Sequence, residues 1–213
     1  MKTFPIMLDI AQEPAVVIGG GSVGMRKVRA LLAAGARVRL VAEQIAAGFE
    51  PPPEVEILRR PYEPSALAGA RLVFACTDDR RLNARIAADA RTIGALVNAA
   101  DQPDDCDFYL PATVRRGEVV VAVGTGGTAP ALAAWLSGRL ASALPERLGE
   151  FAALLGSLRD ELRAAVGDPP ARMAVMKELS GQAGHELFAA GGEQALRRRF
   201  GELLSAARGH RAT

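Results

Sequence analysis

The sequence has few aromatic residues, cysteines and histidines, and it has no long apolar run. Only 5% of its 213 residues are aromatic, which argues against a surface that stacks on nucleic-acid bases. The two cysteines, Cys76 and Cys106, do not have the spacing of a metal site and favour a reducing compartment. His185 and His210 stand apart from any convincing set of metal ligands, and His210 reads as part of a polar tail. We therefore expect no protein-bound metal.

No segment approaches the roughly 20 consecutive apolar residues that a membrane-spanning helix needs. The N-terminal stretch has one lysine, and its short apolar run is interrupted by Pro5 and Asp9, so it lacks the core of a signal peptide. The net charge of +2 is only mildly basic and does not by itself indicate a nucleic-acid partner. These features predict a cytoplasmic protein with no membrane or nucleic-acid partner.

What the sequence does contain is a glycine-rich turn between an apolar strand and a helix. Residues 15–18 form the apolar run, and Gly19, Gly21 and Gly24 follow it with the spacing G-x-G-x-x-G. In such a loop the first glycine permits the turn, the second lets a diphosphate approach the backbone, and the third lets the helix pack on the strand. The helix N-terminus attracts the phosphates. This context favours a dinucleotide site, although a turn that serves packing alone is the alternative.

Strands and helices alternate through the first half of the chain. The predicted strands cover residues 15–18, 37–42, 55–58, 71–77 and 95–99, and the predicted helices cover 22–35, 64–68 and 80–91. Such alternation predicts an α/β fold with a parallel sheet and right-handed crossovers. We expect a Rossmann-type NAD-binding domain over residues 1–112.

The pattern changes after residue 110. Residues 110–114 and 118–124 predict a hairpin whose turn is Arg115–Gly117, and Thr128 is the expected N-cap of the next helix. Further helices are predicted over 131–144, 146–166, 171–179 and 193–207, with residues 181–192 breaking the pattern. These segments predict a small hairpin–helix unit over residues 113–145 and a helical C-terminal domain over 146–213.

A hairpin with one or two helices buries little core by itself. Pairing with a second copy of the chain would cover its apolar face. We therefore expect a homodimer built on residues 113–145.

Polar residues follow the predicted strands at the edge where doubly wound sheets bind ligands. Glu43, before Gln44, lies where an acidic side chain often binds ribose hydroxyls, and the lack of an arginine at this strand end favours NAD over NADP. An ordinary solvated loop residue is the alternative for Glu43. Thr77 and the backbone beside it could line the cofactor cleft. Asp78 and Asp79 are also fully explained as helix caps.

The loop after the fifth strand carries four carboxylates. Asp101 comes first and is the best candidate for a proton acceptor. The other three read as solvated loop acids: Asp104, Asp105 and Asp107.

These stretches together resemble the precorrin-2 dehydrogenase family, the siroheme-synthase module also called precorrin-2 oxidase/ferrochelatase. The matching residues are Pro5-Ile6, Gly19 to Gly24, Arg26-Lys27, Ala75 to Asp79, Asn83, Asn98, Asp101, Pro103, Cys106, Phe108, Pro111-Ala112, Gly126 to Thr128 and Pro130. The resemblance runs from about residue 3 to 150 and more loosely through the helical tail.

The resemblance implies oxidation of precorrin-2 to sirohydrochlorin with transfer of a hydride to NAD+, and in some members insertion of ferrous iron to give siroheme. It implies that Asp101 is the catalytic carboxylate of both steps, with the iron held by the macrocycle nitrogens. The implied cofactor-binding residues are Gly19, Gly21, Ser22, Val23, Gly24, Glu43, Gln44, Thr77 and Asp78. The substrate is rich in carboxylates, and the residues expected to contact it are Asn98, Arg115, Arg116, Thr125 and Arg139, with Lys27 as a further candidate. Each basic residue is equally explained as a solvated surface charge, and Thr125 as a helix cap.

Two other functions remain compatible with the sequence. One is a sirohydrochlorin chelatase that has no dehydrogenase activity. The other is an NAD-sensing regulatory module, although a sensor would not need the loop from Asp101 to Pro111.

Overall fold

The computed structural model describes residues 3–209, which divide into two compact units between Leu110 and Pro111. His210 lies outside the described residues. Within residues 3–209, every helix is too short or too polar to cross a membrane. The cytoplasmic location expected from the sequence stays a prediction.

The first unit is a five-stranded parallel sheet in the order β3-β2-β1-β4-β5. The strands are β1 (Pro14–Ile18), β2 (Arg37–Val41), β3 (Glu56–Leu58), β4 (Leu72–Ala75) and β5 (Leu96–Ala99). The helices are α1 (Ser22–Ala33), α2 (Arg80–Thr92) and two short 3₁₀ turns, Pro64–Leu67 and Pro103–Asp105. This arrangement confirms the Rossmann-type fold expected from the alternating pattern.

Alternate residues of β1 enter two separate hydrophobic cores, one on each face of the sheet. Val17 packs in the core that contains Val28 of α1, whereas Val16 packs in the core that contains Ile86 of α2. A strand buried on both faces has no polar positions, which explains why β1 reads as a continuous apolar run. The sheet is therefore covered on both sides, and ligands have access at its carboxyl edge.

The second unit begins with an antiparallel hairpin of β6 (Ala112–Arg116) and β7 (Val119–Val123). Arg116 pairs with Val119, so the turn consists of Gly117 and Glu118 alone. The predicted hairpin is confirmed, but its predicted turn was wrong because Arg115 and Arg116 lie within the strand. Cross-strand pairing determines this register, and the turn composition did not reveal it.

Four helices follow the hairpin. They are α3 (Pro130–Ala143), α4 (Leu148–Ala165), α5 (Pro169–Ser180) and α6 (Gln182–Gly209). Gly192 interrupts α6 with a φ of +63°, a conformation that glycine adopts without strain. The expected breaks between the helices occur at Gly181 and Gly192, but residues 182–191 between them are helical, which the sequence analysis did not predict. Phe188, only 3% exposed, anchors this turn of helix in the core shared with Phe151 and Leu158.

The N-cap of α3 is Ala129, so the assignment of Thr128 to that position was wrong. Pro130 occupies the first helical position, which proline favours, and the cap therefore falls on the residue before it. The Thr128 hydroxyl donates to the Thr125 carbonyl oxygen at 2.6 Å. The Thr125 hydroxyl accepts the Ala129 N–H at 3.3 Å, so it satisfies a free donor at the helix start.

Leu158→Ala should lower the free energy of unfolding by about 2–5 kcal/mol, because the Leu158 side chain is fully buried among the helices of the second unit. Met173→Ala on α5 is the control, since Met173 is 72% exposed and its loss should cost less than about 0.5 kcal/mol. Denaturant unfolding followed by circular dichroism measures both values. Equal losses for the two variants would contradict this core assignment.

Candidate functional site

The glycine turn after β1 is held by close packing. A Cβ on Gly19 would lie 2.3 Å from the Cys76 carbonyl oxygen, and its φ of +111° also disfavours a side chain. A Cβ on Gly24 would lie 2.0 Å from the Gly19 carbonyl oxygen. A Cβ on Gly21, in contrast, would have no atom within 4 Å. The outer glycines thus bring α1 against the strand ends, while the backbone at Gly21 stays open to a ligand.

Gly20 also lacks room for a side chain, which the G-x-G-x-x-G pattern did not indicate. A Cβ there would lie 2.1 Å from the Gln44 carbonyl oxygen. The Gly20 carbonyl oxygen accepts the Ala46 N–H at 2.8 Å. This contact ties the glycine turn to the loop after β2. The run of three glycines was the available signal in the sequence.

A cavity of about 390 Å³ opens above the glycine turn, within the usual size range of ligand pockets. The loops after β1, β2 and β4 supply these predicted cofactor residues to its wall: Gly19, Gly21, Glu43, Gln44, Thr77 and Asp78. The other predicted cofactor residues lie in the first turn of α1 and outside this wall: Ser22, Val23 and Gly24. The helix N-terminus and the exposed backbone at Gly21 fit a bound diphosphate.

The loop after β3 forms another part of the cavity wall, which was not predicted from the sequence. Arg60, Pro61 and Tyr62 line the cavity. The Tyr62 hydroxyl donates to a carboxylate oxygen of Asp89 at 2.9 Å, and burial together with this bond raises the pKa of Tyr62 above its usual value. The phenol therefore stays protonated and fixed to α2. The signal was the position of these residues directly after the third strand, at the same sheet edge.

The side chain of Asn83 fixes Thr77. Asn83 Oδ1 accepts the Thr77 N–H at 3.1 Å and the Thr77 hydroxyl at 2.7 Å, and Asn83 Nδ2 donates to the Thr77 carbonyl oxygen at 2.9 Å. Asp79 is the N-cap of α2 and accepts the backbone N–H groups of Arg81 and Leu82. Capping thus accounts for Asp79, whereas Asp78 is free to face the cavity.

Asp101 follows β5 at the same sheet edge as the glycine turn. The register aligns Ile18 with Ala75 and Ala75 with Ala99. The end of β5, two residues before Asp101, therefore lies two strand spacings, about 10 Å, from the end of β1. Its φ of +57° is a left-handed conformation that aspartate tolerates better than most residues. The residue is exposed. Asp101 is therefore a solvent-exposed carboxylate at the same sheet edge as the cavity, and it is not among the residues that line the cavity.

Buried polar side chains brace the loop that carries Asp101. The Cys106 thiol sulfur accepts the Ala99 N–H at 3.2 Å, and Asn98 Nδ2 donates to the Phe108 carbonyl oxygen at 2.9 Å. Gln102 Nε2 donates to the Arg80 carbonyl oxygen at 3.1 Å, which joins the loop to the start of α2. Asn98 is only 8% exposed, and its predicted contact with substrate stays a prediction.

Asp107 also helps to hold this loop in place, so it is not the solvated loop acid that the sequence suggested. Its carboxylate accepts the Val97 N–H at 3.0 Å and pairs with Arg91 at 3.0 Å. The β5 edge has no neighbouring strand beyond it in the sheet, so a side chain supplies this hydrogen bond. Such pairing across ten residues gives no local pattern in the sequence.

Lys27 and Cys76 lie at the carboxyl edge of the sheet, beside this loop. Lys27 Nζ lies 5.7 Å from the centre of the Phe74 ring, and burial lowers the pKa of this lysine. Burial raises the pKa of Cys76 to about 11, so this residue is a thiol at neutral pH. A thiol is a poor nucleophile, which argues against a covalent role for Cys76.

The remaining predicted substrate residues belong to the second unit. Arg115 is exposed on β6 and Arg139 is exposed on α3, whereas Arg116 donates to the Ala141 carbonyl oxygen at 3.1 Å and braces the hairpin against α3. The Thr125 hydroxyl accepts the N–H of Ala129, the N-cap residue of α3. Substrate contacts by these four residues stay predictions.

The family comparison agrees with the geometry of the first unit. The NAD_binding_7 family model, described as NAD(P)-binding, matches residues 6–112. The chain belongs to this NAD(P)-binding family. The matched residues include the glycine turn, the cavity and the loop of Asp101.

Curated relatives of this NAD(P)-binding chain are larger proteins. A siroheme synthase of Methylococcus capsulatus is 40% identical over 175 residues, which cover 81% of this chain and 37% of the relative. Siroheme synthase 1 of Pectobacterium atrosepticum is 40% identical over 182 residues, covering 84% of this chain and 38% of the relative. The chain therefore spans well under half the length of these relatives.

A solved structure shares the fold. "SirC, precorrin-2 dehydrogenase" superposes with a TM-score of 0.74 over 94% of this chain and 100% of that chain, at 19% identity. At this level of identity the likeness establishes the fold.

Substitutions at neighbouring glycines should separate packing from ligand contact. Gly20→Ala should lower the free energy of unfolding by about 1–3 kcal/mol, because the new Cβ collides with the Gln44 backbone. Gly21→Ala should cost less than about 1 kcal/mol and weaken NAD+ binding roughly tenfold, since its Cβ meets only open space in the protein. Thermal unfolding and calorimetric titration measure the two effects. Unchanged NAD+ affinity in Gly21→Ala would contradict this diphosphate position.

Proposed function

We propose that this chain catalyses NAD+-dependent dehydrogenation of precorrin-2 to sirohydrochlorin. The observation that carries the proposal is the presence of a nucleotide-sized cavity and an exposed carboxylate, Asp101, at one edge of the sheet. The similarity to siroheme synthases at 40% identity supports the class of substrate. The fold shared with a precorrin-2 dehydrogenase is compatible with it.

The chain's own residues divide the binding of the dinucleotide among three loops. The α1 N-terminus, with Ser22 and Val23, would bind the diphosphate through backbone N–H groups. Glu43 would bind the adenosine ribose hydroxyls. Thr77, fixed by Asn83, would line the path toward the nicotinamide. When bound, the cofactor supplies a hydride acceptor.

Asp101 would take the proton that the macrocycle releases as the hydride leaves. Side-chain hydrogen bonds hold the loop that carries Asp101, and the residue itself is exposed to solvent. A positioned proton acceptor of this kind contributes roughly 10²- to 10⁴-fold to a rate.

Insertion of ferrous iron into sirohydrochlorin would be a second reaction at the same edge of the sheet. Iron enters as a substrate, and the macrocycle nitrogens lose their protons as they coordinate it. Asp101 would accept these two protons one after the other and release each to solvent. The chain would then yield siroheme as its final product.

Asp101→Asn should lower the rate of NADH formation from precorrin-2 at least roughly 100-fold and leave NAD+ affinity unchanged, because the amide cannot accept the proton. Asp104→Asn is the matched control, since Asp104 is an exposed acid of the same loop. Initial rates by absorbance and Kd by calorimetry give both quantities. Full activity in the Asp101→Asn variant would contradict the assignment of Asp101 as the proton acceptor.

The same assay distinguishes the alternative functions. Iron insertion into sirohydrochlorin without any NAD+-dependent step would indicate a chelatase. Tight NAD+ binding with no turnover of a tetrapyrrole would indicate a sensor.

We further propose that the hairpin and α3 pair with a second copy of the chain. In α3 only Ala133 is buried, whereas Leu132 is 47% and Trp135 59% exposed. An apolar helix face with this exposure is typical of a surface that another protein covers. The valines of β7, a strand that contacts α3, are also only half-buried.

Trp135→Glu should convert the dimer to a monomer at micromolar concentration, because it places a charge in an apolar interface. Ser142→Glu, at an exposed polar position of α3, is the matched control. Light scattering after size-exclusion chromatography reports the mass of each variant. A wild-type protein that is already monomeric at this concentration would contradict the pairing.

A further inference from the structure

Asp101 does not line the cofactor cavity, so its distance from a bound cofactor depends on the contacts that join its loop to the cavity wall. Among the described residues, none of the hydrogen bonds and ion pairs of this loop involves the Asp101 carboxylate. The side chain is therefore positioned by its own backbone. That backbone has a φ of +57°, a conformation that residues other than glycine keep only where the surrounding structure imposes it.

Two hydrogen bonds to the segment between β4 and α2 flank Asp101. On one side, the Ala100 N–H donates to the Ala75 carbonyl oxygen at 2.8 Å. On the other side, Gln102 Nε2 donates to the Arg80 carbonyl oxygen at 3.1 Å. The segment between these two acceptors contains part of the cavity wall. The Gln102 side chain therefore helps to set the position of Asp101 relative to the wall that would hold the cofactor.

The Gln102 amide is held in one orientation. Its Nε2 also donates to Asp105 Oδ2 at 3.1 Å, so both amide hydrogens are used. Turning the amide over would place Oε1 against two acceptors, the Arg80 carbonyl oxygen and the Asp105 carboxylate. Gln102 is only 8% exposed, so solvent offers no alternative partner for the amide. The side chain is thus a fixed connection between the two loops.

This connection leaves one polar atom unsatisfied. Gln102 Oε1 is buried and has no hydrogen-bond partner in the described part of the chain. An unpaired buried acceptor destabilises the folded state and offsets part of what the two hydrogen bonds contribute. Gln102→Met would remove the two hydrogen bonds and the unpaired oxygen together. The effect of Gln102 on the position of the loop can therefore be measured with little change in stability.

We infer that Gln102 is a positioning residue for the dehydrogenation, which holds the proton acceptor Asp101 at a fixed place relative to the cofactor. This inference rests on the proposed function, because it assigns a role in that same reaction. Gln102 is buried and does not line the cavity, so it acts through Asp101. Misplacing a reacting group by about 1 Å can lower a rate roughly 10²-fold.

Steady-state kinetics of Gln102→Met with precorrin-2 and NAD+ test the inference. The kcat for NADH formation should fall roughly 10- to 100-fold, while the KM for precorrin-2 and the Kd for NAD+ change less than about threefold. The midpoint of thermal unfolding should change by less than about 3 °C, because loss of the unpaired oxygen offsets loss of the hydrogen bonds. Gln102→Glu keeps the shape but cannot donate when ionised, and it should lower kcat at least as much. Asp105→Asn is the matched control, since its Oδ1 still accepts from Nε2 and kcat should stay within about twofold.

A double-variant cycle separates positioning from a general loosening of the site. In the Asp101→Asn background, Gln102→Met should lower the residual rate less than about threefold, because the group that Gln102 positions is already absent. Additive losses of rate, a matching rise in the Kd for NAD+, or unfolding of both Gln102 variants would show that Gln102 only supports the fold, and would overturn the inference. Wild-type kcat in Gln102→Met would also contradict it and leave the proposed function intact. Absence of NADH formation by the wild-type protein would remove the proposed function and this inference together.

Discussion

Close contact between three chain segments at the glycine turn is the constraint on which the site depends. The end of β1, the start of α1 and the end of β4 meet at Gly19, Gly24 and the Cys76 carbonyl, with no room for a Cβ at either glycine. This contact places the α1 N-terminus at the sheet edge and leaves Gly21 open above it. The site that we propose for the diphosphate thus results from backbone packing, before any side chain contributes.

Side chains complete the site where the backbone alone cannot. Asn83 fixes Thr77, and Asn98, Gln102, Cys106 and Asp107 fix the loop of Asp101. Each of these groups satisfies backbone donors or acceptors at the free edge of β5 or in the segments beyond the strand ends. These contacts fix the sheet edge from which the loop of Asp101 emerges, and Asp101 itself is exposed to solvent.

The first unit was largely predictable, because its strands are buried on both faces and its helices separate them at regular intervals. The glycine spacing placed the turn correctly, since Gly19 and Gly24 have no room for a Cβ. Arg60, Tyr62 and Asp107 were not predictable in the same way, because their partners lie on other elements. The hairpin register and the helix over residues 182–191 likewise depend on cross-strand pairing and on burial of Phe188.

The most direct test combines wild-type protein, precorrin-2 and NAD+, and follows NADH formation together with the absorption spectrum of the macrocycle. We expect one NADH for each precorrin-2 converted to sirohydrochlorin, with no conversion when NAD+ is omitted. Binding of NAD+ with neither NADH formation nor a spectral change in the macrocycle would contradict the dehydrogenase function.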